Sequence, residues 1–213
     1  MENDSQNTKR RNLEEAVVWV IVLLAIVVLI VIVGVIIYNS LISVRNKVDE
    51  SWAQISVQLK RRHDLIPTLV STVKGYATHE KGTLEAVTEA RNTAVQAAGS
   101  PAAAAGAENA LSGALKNLFA LSEGYPDLKA STNFSELQQQ LVDTEDRIAF
   151  SRQYYNDVVR QWNTKIETVP FNIAASAMHE SKREYFDILD VSGTRVIETM
   201  AAEETIKPPT VEF

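Results

Sequence analysis

The chain has 213 residues, a net charge of −6 and no cysteine, which excludes disulfides and thiol chemistry and fits either redox compartment. Beyond Tyr38 lie 18 of the 21 basic and 23 of the 27 acidic residues, with no basic block longer than three, and this argues against nucleic acid as a partner. Few glycines and prolines among abundant Ala, Glu, Gln, Leu and Lys favour helix, so the expected fold class is all-α.

Residues 1–15 form a polar N-terminal tail. Residues 16–38, AVVWVIVLLAIVVLIVIVGVIIY, then run for 23 positions without a charge or a proline. As a helix this run spans about 34 Å, enough to cross a hydrocarbon core of about 30 Å. Inside a bilayer no water satisfies the backbone, so helix is the conformation expected of a lone apolar segment. A cleaved signal peptide would be shorter and would end at small residues, whereas this run leads into Tyr38-Asn39-Ser40-Leu41. A single-pass transmembrane helix is therefore expected. Lys9, Arg10 and Arg11 on one side against Arg45 and Lys47 on the other lean toward a cytoplasmic N-terminus and an extracytoplasmic domain.

The 175 residues after Tyr38 are ample for one helical domain, expected over 39–190, with a C-terminal tail over 191–213. Apolar residues recur at Leu41, Val44, Val48, Trp52, Ile55 and Leu59, and again at Leu69, Val73, Tyr76, Leu84 and Val87. This spacing predicts one long helix from Leu41 to about Ala98, disturbed at Pro67, whose ring clashes with the His63 carbonyl and removes that carbonyl's donor. Ser100 and Pro101 read as the N-cap and first position of a second helix reaching Ser122. A third helix has the cleanest period, through Phe134, Leu137, Leu141, Thr144, Ile148, Ser151, Tyr155, Val158, Trp162 and Ile166. Thr132 or Asn133 could cap it, Asp143 and Arg147 form an i,i+4 pair, and Pro170 ends it. Phe171–Met178 and Ser181–Leu189 read as short helices. Trp52 and Trp162 lie on the seams of the two longest helices and, with Pro67, are the expected core anchors.

Catalytic and metal chemistry find little support in the sequence. His63 and His79 are 16 residues apart and face about 160° away from each other on one helix, so no H-E-x-x-H-like ligand pair forms. There is no G-x-S-x-G elbow and no glycine-rich phosphate loop. The expectation is a non-enzyme without cofactor or metal. Lys60-Arg61-Arg62 is the sharpest charged feature. It reads either as a solvated turn neutralised by Asp64 or as a docking patch for an acidic protein partner.

The stretch YNSLISVRNKVDESWAQISVQLKRRHDLIPTLVSTVKGYATHEKGTLEAVTEAR, residues 38–91, resembles the signature region of the LemA family of bacterial membrane proteins. Similar elements follow: EGYPDLKASTNFSELQQQLVDTEDRIAFSRQYYNDVV, WN-x3-IETVPFNIAA and a closing PPTVEF. Residues Val191–Thr205 depart from the family pattern by their length. The resemblance implies a bacterial inner-membrane anchor followed by an elongated antiparallel helical bundle, with no established enzyme activity. Relatives in the family include a magnetosome-membrane protein, and family genes often neighbour membrane zinc peptidases. Two functions follow from it: a membrane-anchored scaffold or interaction protein that organises partners or self-associates, and an adaptor or regulator of a membrane zinc peptidase.

Overall fold

The structure, a computed structural model, describes the backbone of residues 2–187 and the side chains of residues 17–187. The expected tail 191–213, its PPTVEF motif and the long stretch Val191–Thr205 lie outside the described residues. So do the last positions of the expected helix Ser181–Leu189 and the side chains of Lys9, Arg10 and Arg11. The described elements are six α-helices, α1 (Glu2–Tyr76), α2 (Lys81–Gln96), α3 (Pro101–Ser122), α4 (Pro126–Lys129), α5 (Thr132–Glu167) and α6 (Phe171–Ala177), with one 3-10 turn at Ala97–Gly99. No strand occurs among the described residues. The chain divides into two compact units.

One unit holds α1 up to Asn46 together with Asn163–Lys182. Its α1 segment carries the apolar run, exposed throughout from Val17 to Ile36 and apolar and long enough to cross a membrane. Burial begins where the run ends. Ile37 is partly covered and Leu41 is fully buried. Lys165, near the end of α5, donates from Nζ to Ser40 Oγ at 2.6 Å and lies 4.8 Å from the Phe171 ring centroid. Arg45 donates to Glu180 Oε1 at 3.1 Å. After α6 the chain turns at His179, whose φ of 55° is the left-handed geometry common just past a helix end.

The other unit holds Lys47–Trp162 and the segment from Arg183. Its core is one continuous cluster: Ile66, Leu69 and Val73 of α1, Leu84 and Val87 of α2, Leu111, Leu115 and Leu118 of α3, Leu128 of α4, and Phe134, Leu137 and Leu141 of α5. The expected seam of α5 is buried at Phe134, Leu137, Leu141, Thr144, Ile148, Tyr155, Val158 and Trp162, with Ser151 and Ile166 half-covered. Ser100 caps α3 by accepting from the Ala103 amide, and Pro101 occupies its first turn. Small alanines at 104, 105 and 107 are buried on α3, which lets α2 and α3 lie close.

Several expectations are corrected. The helix predicted over Leu41–Ala98 is two helices, because the chain reverses at Ala77–Glu80. The apolar spacing could not reveal this: Tyr76 to Leu84 is an i,i+8 step, which the broad apolar stripe of a continuous helix also shows. Tertiary ties hold the reversal, with Ala77 buried at the crossing and Tyr125 Oη donating to Glu80 Oε1 at 2.9 Å. Pro67 is exposed rather than a core anchor. The helix runs on through it, its ring faces solvent, and Arg91 Nε supplies the donor that the His63 carbonyl lacks. Residues 181–187 are not helical. Instead, the Phe186 amide donates to Asn156 Oδ1 at 2.9 Å, and Tyr155 Oη donates to the Glu184 carbonyl at 2.8 Å. Asp143 accepts from Gln139 Nε2 at 2.8 Å rather than pairing as an i,i+4 partner of Arg147.

Candidate functional site

Two of the charged residues in the second unit sit in phase with apolar stripes. Arg62 falls between Leu59 and Ile66 on α1, three and four residues from each, and Glu108 precedes Leu111 and Leu115 on α3 at the same steps. A helix that packs this stripe must bury whatever occupies it. Arg62 is accordingly 3% exposed and Glu108 1% exposed.

They meet there. Arg62 Nη1 donates to Glu108 Oε2 at 3.1 Å and reaches Glu145 Oε2 of α5 at 3.1 Å, while Nη2 donates to Ser112 Oγ at 2.7 Å. The second carboxylate oxygen of Glu108 accepts from His63 Nε2 at 2.6 Å. One buried carboxylate thus bridges a guanidinium and an imidazole, and α1, α3 and α5 are pinned at one level. Arg91 of α2 joins by donating to the His63 carbonyl at 3.3 Å. Burial of charges is tolerated because every one is paired and hydrogen-bonded.

Grooves open on both sides of this network. One, of about 330 Å³, is lined by Arg62 and Ser112 with the apolar Leu115, Phe119 and Leu141, and has Lys116 at its rim. The other, of about 320 Å³, is lined by His63, Lys60, Asp64 and Arg91 with Trp52 and Val95. Among the described residues no group of three or more His, Asp or Glu side chains is placed to hold a metal ion.

The expected triplet is divided by the helix. Lys60 and Arg61 stand at the surface, Lys60 in an exposed ion pair with Asp64 at 2.5 Å whose hydrogen bond holds the Asp64 carboxyl below the usual carboxylate range. Arg62 points inward and belongs to the network. Of the expected anchors, Trp162 is fully buried, whereas Trp52 is only half-buried, its ring 5.5 Å from both Tyr155 and Phe186. Sequence reasoning missed Glu108, Ser112, Arg91 and Glu145. For Glu108 a signal existed, since it is the one acid in the alanine-rich α3 and lies on that helix's leucine stripe.

An exposed apolar helix joined to a purely helical described fold defines a membrane-associated all-α protein. The chain matches the LemA family over residues 51–200 and belongs to that family. It is 24% identical over 194 residues to magnetosome protein MamQ 2 of Paramagnetospirillum magneticum, covering 79% of this chain and 71% of that one. It is 23% identical over 194 residues to magnetosome protein MamQ of Magnetospirillum gryphiswaldense, with the same coverage. It is also 28% identical over 144 residues to protein LemA of Metamycoplasma hominis, covering 66% of this chain and 64% of that one.

Proposed function

We propose that this LemA-family protein is a non-enzymatic scaffold of the bacterial inner membrane, spanning it once over residues 16–38 and presenting a helical domain, on the extracytoplasmic side, to protein partners or further copies of itself. The observation that carries the reading is the sharing of one helix: α1 supplies both the apolar run and, further along, the buried stripe Ile55, Leu59, Ile66 and Leu69. The anchor is thus part of the helix around which the domain folds. The polar chemistry of the interior supports the same reading. Glu108 takes both Arg62 and His63, and Arg62 reaches on to Ser112 and Glu145, an arrangement suited to holding helices in register.

We place the docking patch at Lys60 and Arg61, both exposed on α1, with Lys60 lining the groove that contains Arg91. Crosslinking in native membranes followed by mass spectrometry tests the reading. Self-crosslinks or a consistent set of partners are expected. A single dominant membrane peptidase would favour the adaptor function instead, and a chain that crosslinks to nothing would overturn both.

A further inference from the structure

The turn joining α5 to α6 leaves large apolar side chains uncovered in the unit that contains the apolar run. Val169 is 76% exposed and Ile173 is 70% exposed, with Pro170 exposed between them. Their level along α1 is fixed by contacts on both sides. Before the turn, Lys165 is hydrogen-bonded to Ser40, two residues past Tyr38 and the end of the apolar run. After it, Glu180 is paired with Arg45, about 7.5 Å further from the run at 1.5 Å per residue. The chain therefore passes Ser40, turns, and comes back up. Residues 168–173 are the tip of that excursion, lying between the Lys165–Ser40 and Glu180–Arg45 ties in sequence and on the side of Ser40 toward the run.

We propose that this turn is a second membrane contact, with Val169, Pro170 and Ile173 entering the interfacial layer of the bilayer that the apolar run crosses. The proposal rests on the spanning role of that run and adds a residue-level lipid contact outside it. Continuity names the occupant, since Lys165, at the start of the turn, is tied to Ser40 only two residues past Tyr38, where the apolar run ends. Charge allows it. The carboxylates nearest the turn are neutralised, Glu167 by Lys182 at 2.5 Å and Glu180 by Arg45. Lys165 holds its ammonium both on Ser40 Oγ and over the Phe171 ring, a cation beside an aromatic at the level where the run ends. Apolar side chains flanked by cations are the composition that seats about 5–10 Å into the headgroup and acyl boundary.

The chain has no cysteine, so single cysteines report cleanly. Nitroxide labels are placed at Val169→Cys and Ile173→Cys, at Val27→Cys within the run and at Glu136→Cys on an exposed face of α5. The full chain is reconstituted in vesicles of phosphatidylethanolamine and phosphatidylglycerol, and collision rates with oxygen and with a nickel chelate are compared. The expected result is an oxygen-to-chelate ratio at 169 and 173 between those at Val27 and Glu136. If 169 and 173 match Glu136 while Val27 stays apolar, the turn lies in water and the proposal falls with the span intact. Low collision with both reagents would mean the turn is covered by protein and would also overturn it. A Val27 label open to the chelate would remove the span, and the proposal with it.

Discussion

Arg91 donates from Nε to the backbone oxygen of His63 at 3.3 Å, and Pro67 is the reason that oxygen needs a donor. In an uninterrupted helix the amide of residue 67 would serve it, and proline has none. A long-range side chain from α2 thus completes a hydrogen bond that α1 cannot make for itself. The same His63 offers its ring to Glu108, so its backbone and side chain are tied to two different helices.

This relationship predicts the sign of two substitutions. A helix-interior proline costs about 3 kcal/mol relative to alanine, and Pro67 is exposed, so no core packing offsets that cost. Pro67→Ala should therefore stabilise the protein, whereas loss of a core anchor would destabilise it. Arg91→Ala should cost about 1 kcal/mol, in the range of an ordinary hydrogen bond. In a Pro67→Ala background most of that cost should vanish, because the restored amide serves the His63 carbonyl. A thermodynamic cycle by chemical denaturation measures the coupling, and additivity within error would show that the two residues act independently.

The buried network makes a second prediction. Removing one member of a buried ion pair leaves an uncompensated charge, which costs about 3–5 kcal/mol. Arg62→Gln and Glu108→Ala should each lose stability on that scale. Together they should lose much less than the sum, since the double variant leaves no buried charge facing an empty partner. Full additivity in denaturation midpoints would mean that the two side chains are not coupled.

Trp162 and Trp52 should separate in the same assay. Trp162 is fully enclosed, and truncation to Ala should cost about 3–5 kcal/mol. Trp52 is half-exposed, and its hold comes from its edge and tilted contacts with Phe186 and Tyr155, each contributing about 0.5–1.5 kcal/mol. Its truncation should cost clearly less than that of Trp162. Equal losses would place Trp52 in a tighter environment than its exposure implies.

Tyr155 sets a limit at alkaline pH. Burial, above all, pushes its phenol up to about 12, with Glu184 and Asp49 adding and Arg183 opposing. A folded-state pKa above the unfolded value of about 10 means that the native state holds the proton more tightly. The associated stability is complete below pH ~10 and is lost as pH rises from there through 12. Absorbance of phenolate at alkaline pH should contain a late step that disappears in Tyr155→Phe. That step appearing near 10 instead would contradict the buried, hydrogen-bonded phenol.

The parts of the fold that were legible in the sequence are those governed by local rules. The apolar run, the Ser100–Pro101 helix start and the α5 seam through Phe134, Ile148 and Trp162 each follow from length, capping or spacing within one helix. What was illegible depends on the partner surface. The reversal at Ala77–Glu80 is held by Tyr125, 45 residues away, and an eight-residue gap hides it from any periodicity. Pro67 reads as central because its neighbours are apolar, yet position 67 is turned about 100° from Ile66 and about 160° from Leu69, off the buried face. The split of Lys60-Arg61-Arg62 was partly readable. Arg62 alone is in step with Leu59 and Ile66, and only the presence of Glu108 across the interface explains why a charge can occupy that step.

That split allows the docking patch to be tested apart from the core. Lys60→Gln with Arg61→Gln changes two exposed charges, and such changes shift stability by no more than about 0.5 kcal/mol each. The thermal midpoint of this double variant should stay close to the wild type, while adding Arg62→Gln should lower it sharply. If Lys60 and Arg61 dock an acidic partner, the double variant should recover less crosslinked partner from native membranes. Capture by the wild type should also weaken as salt rises through about 0.15 M, where the Debye length is near 8 Å. Unchanged capture at unchanged stability would assign Lys60 to its local pair with Asp64 and leave Arg61 as a solvated side chain, and partner recognition would then have to lie on another face of the bundle.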